Sequence, residues 1–146
     1  MMHIRPISHD DRPAWEQLYS GYAAFYNVTQ TAEMRARVWS WLIDPAHEVN
    51  GLVAQTDQGL IGLAHYRPFA RPLSASTGGF LDDLFVAPDV RGTGAGRALI
   101  AALADISREK GWTVLRWITA DSNQTARALY DQVAVQTPWV TYDIKL

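Results

Sequence analysis

The amino-acid sequence predicts a single domain of the mixed α/β class, in which helices flank a mixed sheet. The length of 146 residues is close to that of one ordinary domain, and a hydrophobic share of 48% is enough for one packed core. Segments with strand and helix patterns follow one another in the order βααβββαβαβ, and their alternation in the second half favours a sheet covered by helices. We therefore treat residues 1–146 as one domain.

The first three predicted elements are a strand and two helices. Apolar and polar residues alternate over residues 3–7, which predicts an opening strand. Over residues 13–26 aromatic and apolar side chains recur at helical spacing, which predicts a helix with an aromatic stripe on one face. We interpret this stripe as core packing, and the alternative is that it lines a substrate pocket. A second helix begins after Thr31 and ends before Asp44-Pro45, because the residue before a proline disfavours helical geometry.

Three strands are predicted in the middle of the chain. Residues 49–55 and 60–69 have strand patterns, and the Asp and Gly in the segment between them suit a hairpin turn. Residues 71–79 are rich in Pro, Ser, Thr and Gly, which is typical of a loop. The third strand follows this loop over residues 80–86.

Loops, helices and strands alternate in the second half of the chain. The predicted elements are a loop over 87–96, a helix over 97–110 that Gly111 ends, a strand over 112–119, a helix capped by Asp121 or Ser122 that reaches about Val133, and a strand over 135–144 interrupted near Pro138. The chain is therefore expected to end in a strand.

Charge and composition exclude several classes of function. Thirteen Lys and Arg against fifteen Asp and Glu give a net charge of -2, so nucleic acid is not an expected partner. There is no cysteine, and the histidines are scattered at positions 3, 9, 47 and 65, so we expect no metal site. No apolar stretch approaches the length of a membrane helix, and the first residues lack the apolar core of a signal peptide. We therefore expect a cytoplasmic protein with no membrane partner.

A glycine-rich loop between a strand and a helix is the strongest functional signal. Glycine occupies every second position from Gly92 to Gly96, where the backbone can turn sharply and present successive N–H groups at the start of a helix. Such a loop binds phosphate oxygens, and the flanking Arg91 and Arg97 can add charged hydrogen bonds. The loop lacks the Gly-Lys-Ser/Thr ending of a Walker motif, and Arg97 stands where a dinucleotide fingerprint needs its third glycine. These departures argue against ATP, GTP and dinucleotides as ligands.

Two motifs resemble the signatures of the GNAT family of N-acetyltransferases. The segment Arg91-x-x-Gly-x-Gly resembles the family's pyrophosphate-binding loop for acetyl-coenzyme A (acetyl-CoA), and Asn123-x-x-Ala-x-x-Leu-Tyr130 resembles its second signature, on the following helix. The Gly-Phe pair that usually follows this second helix is absent, and residues 133–136 stand in its place. The resemblance implies a central, mostly antiparallel sheet flanked by helices, and acetyl-CoA as cosubstrate without a metal.

The adjacent carboxylates Asp82 and Asp83 are the candidates for activating the acceptor amine. Neighbouring side chains on a strand point to opposite faces, so only one of the two can face a pocket directly. Together with the ending of residues 139–142, the acidic pair is similar to the branch of polyamine acetyltransferases and of small yeast enzymes that act on histones and free amino acids. That resemblance favours Asp82 as a base acting through water and Asp83 as an attraction for a cationic substrate. Which of the two acts as base stays open.

The remaining site residues follow from the same resemblance. Tyr130 is expected to donate a proton to the departing thiolate, and Asn123 to hold the pantetheine or a nearby backbone group. Pantetheine amides are expected to pair with the strand backbone, where one N–H can stabilise an oxyanion. The full cofactor-binding set is Leu84, Phe85, Val86, Arg91, Gly92, Thr93, Gly94, Ala95, Gly96, Arg97, Asn123 and Tyr130.

We expect an acetyl-CoA-dependent N-acetyltransferase whose acceptor is the primary amine of a small molecule, such as a polyamine or an amino acid. Attack is expected to be direct, within a complex of both substrates. The alternatives are acetylation of a lysine or an N-terminus in a protein or peptide, and a non-catalytic sensor that binds acyl-CoA. By resemblance, Trp139 and Tyr142 on the terminal strand also leave a homodimer open.

Overall fold

A computed structural model describes all residues of the chain, 1–146, and confirms the predicted fold class. One five-stranded sheet has its strands side by side in chain order. The strands are β1 (His3–Pro6), β2 (Asn50–Thr56), β3 (Gly59–Arg71), β4 (Ser76–Val86) and β5 (Leu115–Arg116). The pairs from β1 to β4 are antiparallel, and only β4 and β5 run parallel. The helices are α1 (Arg12–Phe25), α2 (Ala32–Ile43), α3 (Ala95–Glu109) and α4 (Gln124–Val133).

Helices cover both faces of this sheet, so the core has two parts. Neighbouring residues of β3 belong to different parts, because Leu63 and Ala64 point to opposite faces of the strand. On one face, Trp15 and Leu18 of α1 and Trp39 of α2 pack against Leu63 of β3 and Phe85 of β4. On the other, α3 supplies Leu99, Ile100 and Leu103 against β2, β3 and β4. None of the helices has the length and apolar composition needed to cross a membrane.

The predicted loop over residues 71–79 is shorter in the structure, because β3 and β4 form a long hairpin. The chain reverses in a short 3-10 turn over Pro72–Ser74. Ala75 follows with a φ of 51°, and β4 begins at Ser76. The glycines in this segment serve close packing. A Cβ at Gly79 would lie 2.5 Å from the ring of Trp112, so only glycine fits beneath that indole.

Of the predicted strands, one is shorter than expected and one does not form. The strand expected over 112–119 is limited to Leu115–Arg116, which pair with Gly79 and Phe80. The strand expected over 135–144 does not form, and every residue from 134 to 146 is exposed. A strand needs a neighbour to receive its backbone hydrogen bonds, and residues 117–119 and 135–144 have no such partner within the chain.

Substitution of a central core residue tests this packing. Leu99 is fully buried between α3 and the sheet, so Leu99→Ala is expected to lower the free energy of unfolding by about 2–5 kcal/mol. Leu73→Ala is the matched control, because the Leu73 side chain is fully exposed and its truncation should change stability little. Urea unfolding followed by circular dichroism measures both. Equal losses would contradict the assignment of Leu99 to the core.

Candidate active site

An irregularity in β4 separates the two neighbouring carboxylates. His65 lies opposite Asp83 and Tyr66 lies opposite Leu81, so Asp82 is an extra residue that bulges from the pairing with β3. A bulge of this kind redirects side chains on the strand that carries it. The two carboxylates consequently lie in different surroundings, because of the bulge rather than the regular alternation expected from the sequence.

Asp83 is held from one side by buried hydrogen-bond donors. Its Oδ2 accepts a hydrogen bond from the hydroxyl of Tyr19 at 2.9 Å and lies 2.8 Å from Nδ1 of His65. Burial on its own raises the pKa of Asp83, but the hydrogen bond from His65 and the hydroxyls of Tyr19 and Tyr22 outweigh it and hold this pKa below its usual range. Asp83 is therefore a carboxylate at neutral pH, and a weak base.

The second oxygen of Asp83 is available to a ligand. Tyr19 and His65 both contact Oδ2, whereas no hydrogen bond in the structure reaches Oδ1, which is not fully buried. A carboxylate oxygen in this position can accept a hydrogen bond from an ammonium group. Asp83 thus presents a fixed negative charge with one free oxygen.

The ring of His65 has a defined tautomer. Nε1–H of Trp15 donates to Nε2 of His65 at 2.9 Å, so Nε2 carries no proton and Nδ1–H is the donor to Asp83. His65 is buried, with both ring nitrogens occupied. Its role is to link α1, β3 and Asp83, and it does not reach a pocket.

Asp82 has different partners and a different pKa. Its carboxylate lies 3.1 Å from Nε of Arg67, whose guanidinium also lies over the ring of Phe80. Burial raises the pKa of Asp82, and the charge and hydrogen bond of Arg67 only partly oppose this rise. A carboxyl with a raised pKa is a better proton acceptor than an ordinary one.

The glycine-rich loop forms a cradle of free backbone donors over residues 91–97. None of the N–H groups from Arg91 to Arg97 donates a hydrogen bond within the chain. Gly92 and Gly94 have φ values of 85° and 86°, and no atom lies within 4 Å of a Cβ placed on either. The cradle opens onto the N-terminus of α3, where the helix dipole favours an anion. Its donors fit a phosphate or pyrophosphate group.

The two arginines of the cradle are engaged with the protein. Arg91 donates from Nε to the carbonyl of Val86 at 3.2 Å, and its guanidinium lies over the ring of Phe25. Arg97 donates to the side chain of Gln132 on α4. Each guanidinium thus has one hydrogen bond within the chain, whereas the backbone N–H groups of the cradle have none.

A cleft opens between β4 and β5 directly before this cradle. The two strands pair only at Gly79 and Phe80, so beyond Phe80 the edge of β4 that faces β5 has no strand beside it. The free stretch includes Leu84, Phe85 and Val86. An extended ligand with amide groups can pair with such an edge as an added strand does.

Tyr130 and Asn123 lie on α4, on the other side of this cleft. Tyr130 is half-buried, with its ring 5.4 Å from that of Trp117, and burial raises its pKa, as does Tyr26 nearby. Its hydroxyl is therefore protonated at neutral pH. Asn123 caps α4 by accepting from the N–H of Ala126, in place of the predicted caps at Asp121 or Ser122.

The aromatic stripe of α1 divides between core and site. Trp15 and Leu18 are buried in the core, as interpreted from the sequence. Tyr19 donates to Asp83, the ring of Tyr22 packs edge-on against Phe85, and the hydroxyl of Tyr26 lies 3.4 Å from Nδ2 of Asn123. These three tyrosines therefore lie beside candidate site residues, and that they line a substrate pocket stays a prediction. Their helical spacing was the available signal, but it does not say which strand they meet.

Comparisons with known proteins give one consistent family. The model of the acetyltransferase (GNAT) family matches residues 15–134. The D-amino-acid N-acetyltransferase of Saccharomyces cerevisiae is 30% identical over 95% of this chain and 88% of its own length. The phosphinothricin N-acetyltransferase of Alcaligenes faecalis is 36% identical over 84% of this chain and 64% of its own.

Solved structures share the fold. The ribosomal-protein-alanine N-acetyltransferase of Brucella melitensis biovar Abortus 2308 superposes with a TM-score of 0.83 at 25% identity, over 100% of this chain and 99% of its own. An aminoglycoside N-acetyltransferase in complex with CoA superposes with a TM-score of 0.85 at 20% identity, over 99% of this chain and 95% of its own. Sequence and fold thus agree, and the chain belongs to the acetyltransferase (GNAT) family and is an acetyl-CoA-dependent acetyltransferase.

Proposed function

We propose that this enzyme transfers the acetyl group of acetyl-CoA to the primary amine of a small molecule, such as a polyamine or an amino acid. The observation that carries the proposal is the free Oδ1 of Asp83, on the strand that leads to the cradle. It offers a fixed negative charge to an ammonium group, among the rings of Tyr19 and Tyr22, which suit a cation as well. Both relatives described above are N-acetyltransferases of small molecules, which supports the same class.

Acetyl-CoA fits the residues that line the cleft and the cradle. The free N–H groups of residues 91–97 would hold its pyrophosphate, and the open edge of Leu84, Phe85 and Val86 would pair with its pantetheine amides. When bound there, acetyl-CoA supplies the activated acetyl thioester. Asn123 contributes by capping α4, which holds Tyr130 beside the cleft.

Asp82 and Tyr130 have opposite tasks in proton transfer. An alkyl ammonium with a pKa of about 10.4 must lose a proton before its nitrogen can attack directly, and Asp82 accepts that proton through water. Asp83 is unsuited to this task, because its pKa is lowered. The hydroxyl of Tyr130 stays protonated and donates to the thiolate that leaves.

The cradle assignment predicts a selective loss of CoA affinity. Gly94→Val places a side chain in the cradle and forces a residue with a side chain to a φ of 86°, at a strain of about 1–2 kcal/mol. Each hydrogen bond to a charged phosphate that is lost costs about 1.5–3 kcal/mol, so affinity for CoA should fall at least about tenfold. Gly59→Val is the matched control, with a φ of 106° in the β2–β3 turn and similar strain. Calorimetric titration with CoA measures both variants. Equal affinities would refute the cradle as the phosphate site.

The role of Asp83 is tested by an acceptor panel. Thiol release from acetyl-CoA is followed with polyamines, D- and L-amino acids, aminoglycosides and basic peptides. Wild-type turnover is expected with a small amine, and Asp83→Asn is expected to raise the KM for that amine while the KM for acetyl-CoA stays unchanged, because only the amine meets Oδ1. Turnover with basic peptides alone would overturn the substrate class. An unchanged amine KM would remove Asp83 from substrate binding.

The proton-transfer roles predict different pH profiles for two variants. In wild type, kcat should fall as pH drops through the raised pKa of Asp82, because the carboxylate must be deprotonated to accept a proton. Asp82→Asn should lower kcat by about 10²-fold or more and abolish this acidic limb. Tyr130→Phe should also lower kcat but retain the limb, with CoA affinity unchanged. An acidic limb that persists in Asp82→Asn would exclude Asp82 as the base.

A further inference from the structure

The face of the sheet that carries the candidate site continues past His65 as a surface rich in arginine. On β3, Arg67, Phe69 and Arg71 follow His65 at every second position, so their side chains share its face of the strand. Phe69 and Phe80 are only partly buried and belong to neither of the two core clusters. The aromatic rings of this surface are therefore open to a ligand.

Two arginines flank Phe80 in one row across three strands. Arg67 lies opposite Phe80 in the pairing of β3 with β4, and Arg116 lies opposite Phe80 in the pairing of β4 with β5. The guanidinium of Arg67 lies 5.0 Å from the ring centroid of Phe80, and that of Arg116 lies 5.4 Å from the ring centroid of Phe69. The centroids of these two rings are 6.1 Å apart. Arg67, Phe80 and Arg116 are called the arginine row below.

The arginines of this surface have more N–H donors than the chain uses. The guanidinium of Arg116 has no hydrogen bond or ion pair within the chain, and that of Arg67 donates only from Nε, to Asp82. Arg71 donates from one Nη to the hydroxyl of Thr113. Only Asp82 forms an ion pair with an arginine of this surface. Two positive charges are therefore unmatched here, on a chain whose net charge is -2.

The two unmatched arginines line an open cavity. Arg71 and Arg116 border a cavity of about 340 Å³ together with Phe69 and Leu73, and none of the residues that line it is acidic. A guanidinium binds a carboxylate through parallel hydrogen bonds, and an aromatic ring beneath it holds its plane in place. The cavity is therefore suited to a carboxylate, and Arg116 joins it to the arginine row.

The distance from Asp83 to the arginine row limits which acceptors can reach both. His65 lies opposite Asp83, and Arg67 follows His65 by two positions on β3. At about 3.4 Å per residue, the row therefore lies about 7 Å along the strands from Asp83. An α-amino acid has a single carbon between its charged groups, whereas a chain of five methylenes spans about 7 Å at about 1.5 Å per bond. Only the longer molecule can place its amine at Asp83 and its carboxylate at the row.

We infer that the arginine row is a carboxylate subsite, and that the acceptor is an amino acid whose reactive amine is several methylenes away from its carboxylate. This inference rests on the proposed function, because it concerns the far end of the amine that meets Asp83. The carboxylate binds Arg116, Arg67 adds a second positive charge, and the methylenes pack on the ring of Phe80. A polyamine is disfavoured, because its second ammonium group would meet two arginines.

Two acceptors that differ only at the end remote from the amine test the subsite. Thiol release from acetyl-CoA is followed with ε-aminocaproate, which carries a carboxylate, and with hexylamine, which does not. The kcat/KM of the wild type is expected to be at least about tenfold higher for ε-aminocaproate, because only this acceptor forms charged hydrogen bonds with the row. Turnover of both without this preference, or a preference for α-amino acids, would refute the subsite and leave the proposed function intact. No turnover of any amine would overturn the proposed function, and the subsite with it.

Substitutions of Arg116 test which residue selects the carboxylate. Arg116→Gln should lower kcat/KM for ε-aminocaproate about tenfold, chiefly through KM, and bring it close to the value for hexylamine. The matched control Arg37→Gln removes the same charge from an exposed position on α2 and should change neither value. Arg116→Glu should reverse the preference, so that hexamethylenediamine is acetylated faster than ε-aminocaproate. Equal losses for ε-aminocaproate and hexylamine in Arg116→Gln, or an unreversed preference in Arg116→Glu, would refute the assignment.

Discussion

A chain of hydrogen bonds from Trp15 through His65 to Asp83 joins α1 to the centre of the sheet, and the candidate site depends on it. A buried carboxylate without donors costs several kcal/mol, so Asp83 can occupy this position only because His65 and Tyr19 donate to it. The indole of Trp15 in turn sets the tautomer of His65. The buried indole of Trp15 on α1 and the negative charge of Asp83 are therefore linked by one chain of hydrogen bonds.

The chemistry of the site depends on the places where β4 departs from regular pairing with β3 and β5. On one side a bulge at Asp82 turns two adjacent carboxylates toward different partners. On the other side β5 separates from β4 after Phe80, which opens a cleft along a free strand edge. At its end, the strand leads into a loop whose N–H groups have no acceptor in the chain. β4 thus carries both the carboxylates proposed for the acceptor amine and the edge proposed for acetyl-CoA.

The ends of α1 and α4 meet at this strand and complete the site. Arg91 lies over Phe25 near the end of α1, and Leu129 of α4 lies against Gly96 at the start of α3. A Cβ at position 96 would lie 3.4 Å from Cδ2 of Leu129, which places the start of α3 in direct packing range of α4. Tyr130 follows Leu129 directly, so the packing of α4 onto α3 sets where its hydroxyl lies. A change in that packing would move the proton donor without touching a reacting atom.

The sequence by itself determined the features that depend on neighbouring residues. Helical stripes, the α2 cap at Thr31 and the glycine-rich loop are set by local spacing and local backbone freedom, so they are readable without a structure. Tertiary structure alone decided which tyrosines of α1 reach Asp83, that Asn123 caps α4, and that Asp82 bulges, because these depend on strand register and on contacts between distant segments. It also decided that the strand expected over 112–119 is short and that the strand expected over 135–144 does not form. A strand pattern specifies a residue's face, but the hydrogen bonds that make a strand come from a neighbour the pattern does not name.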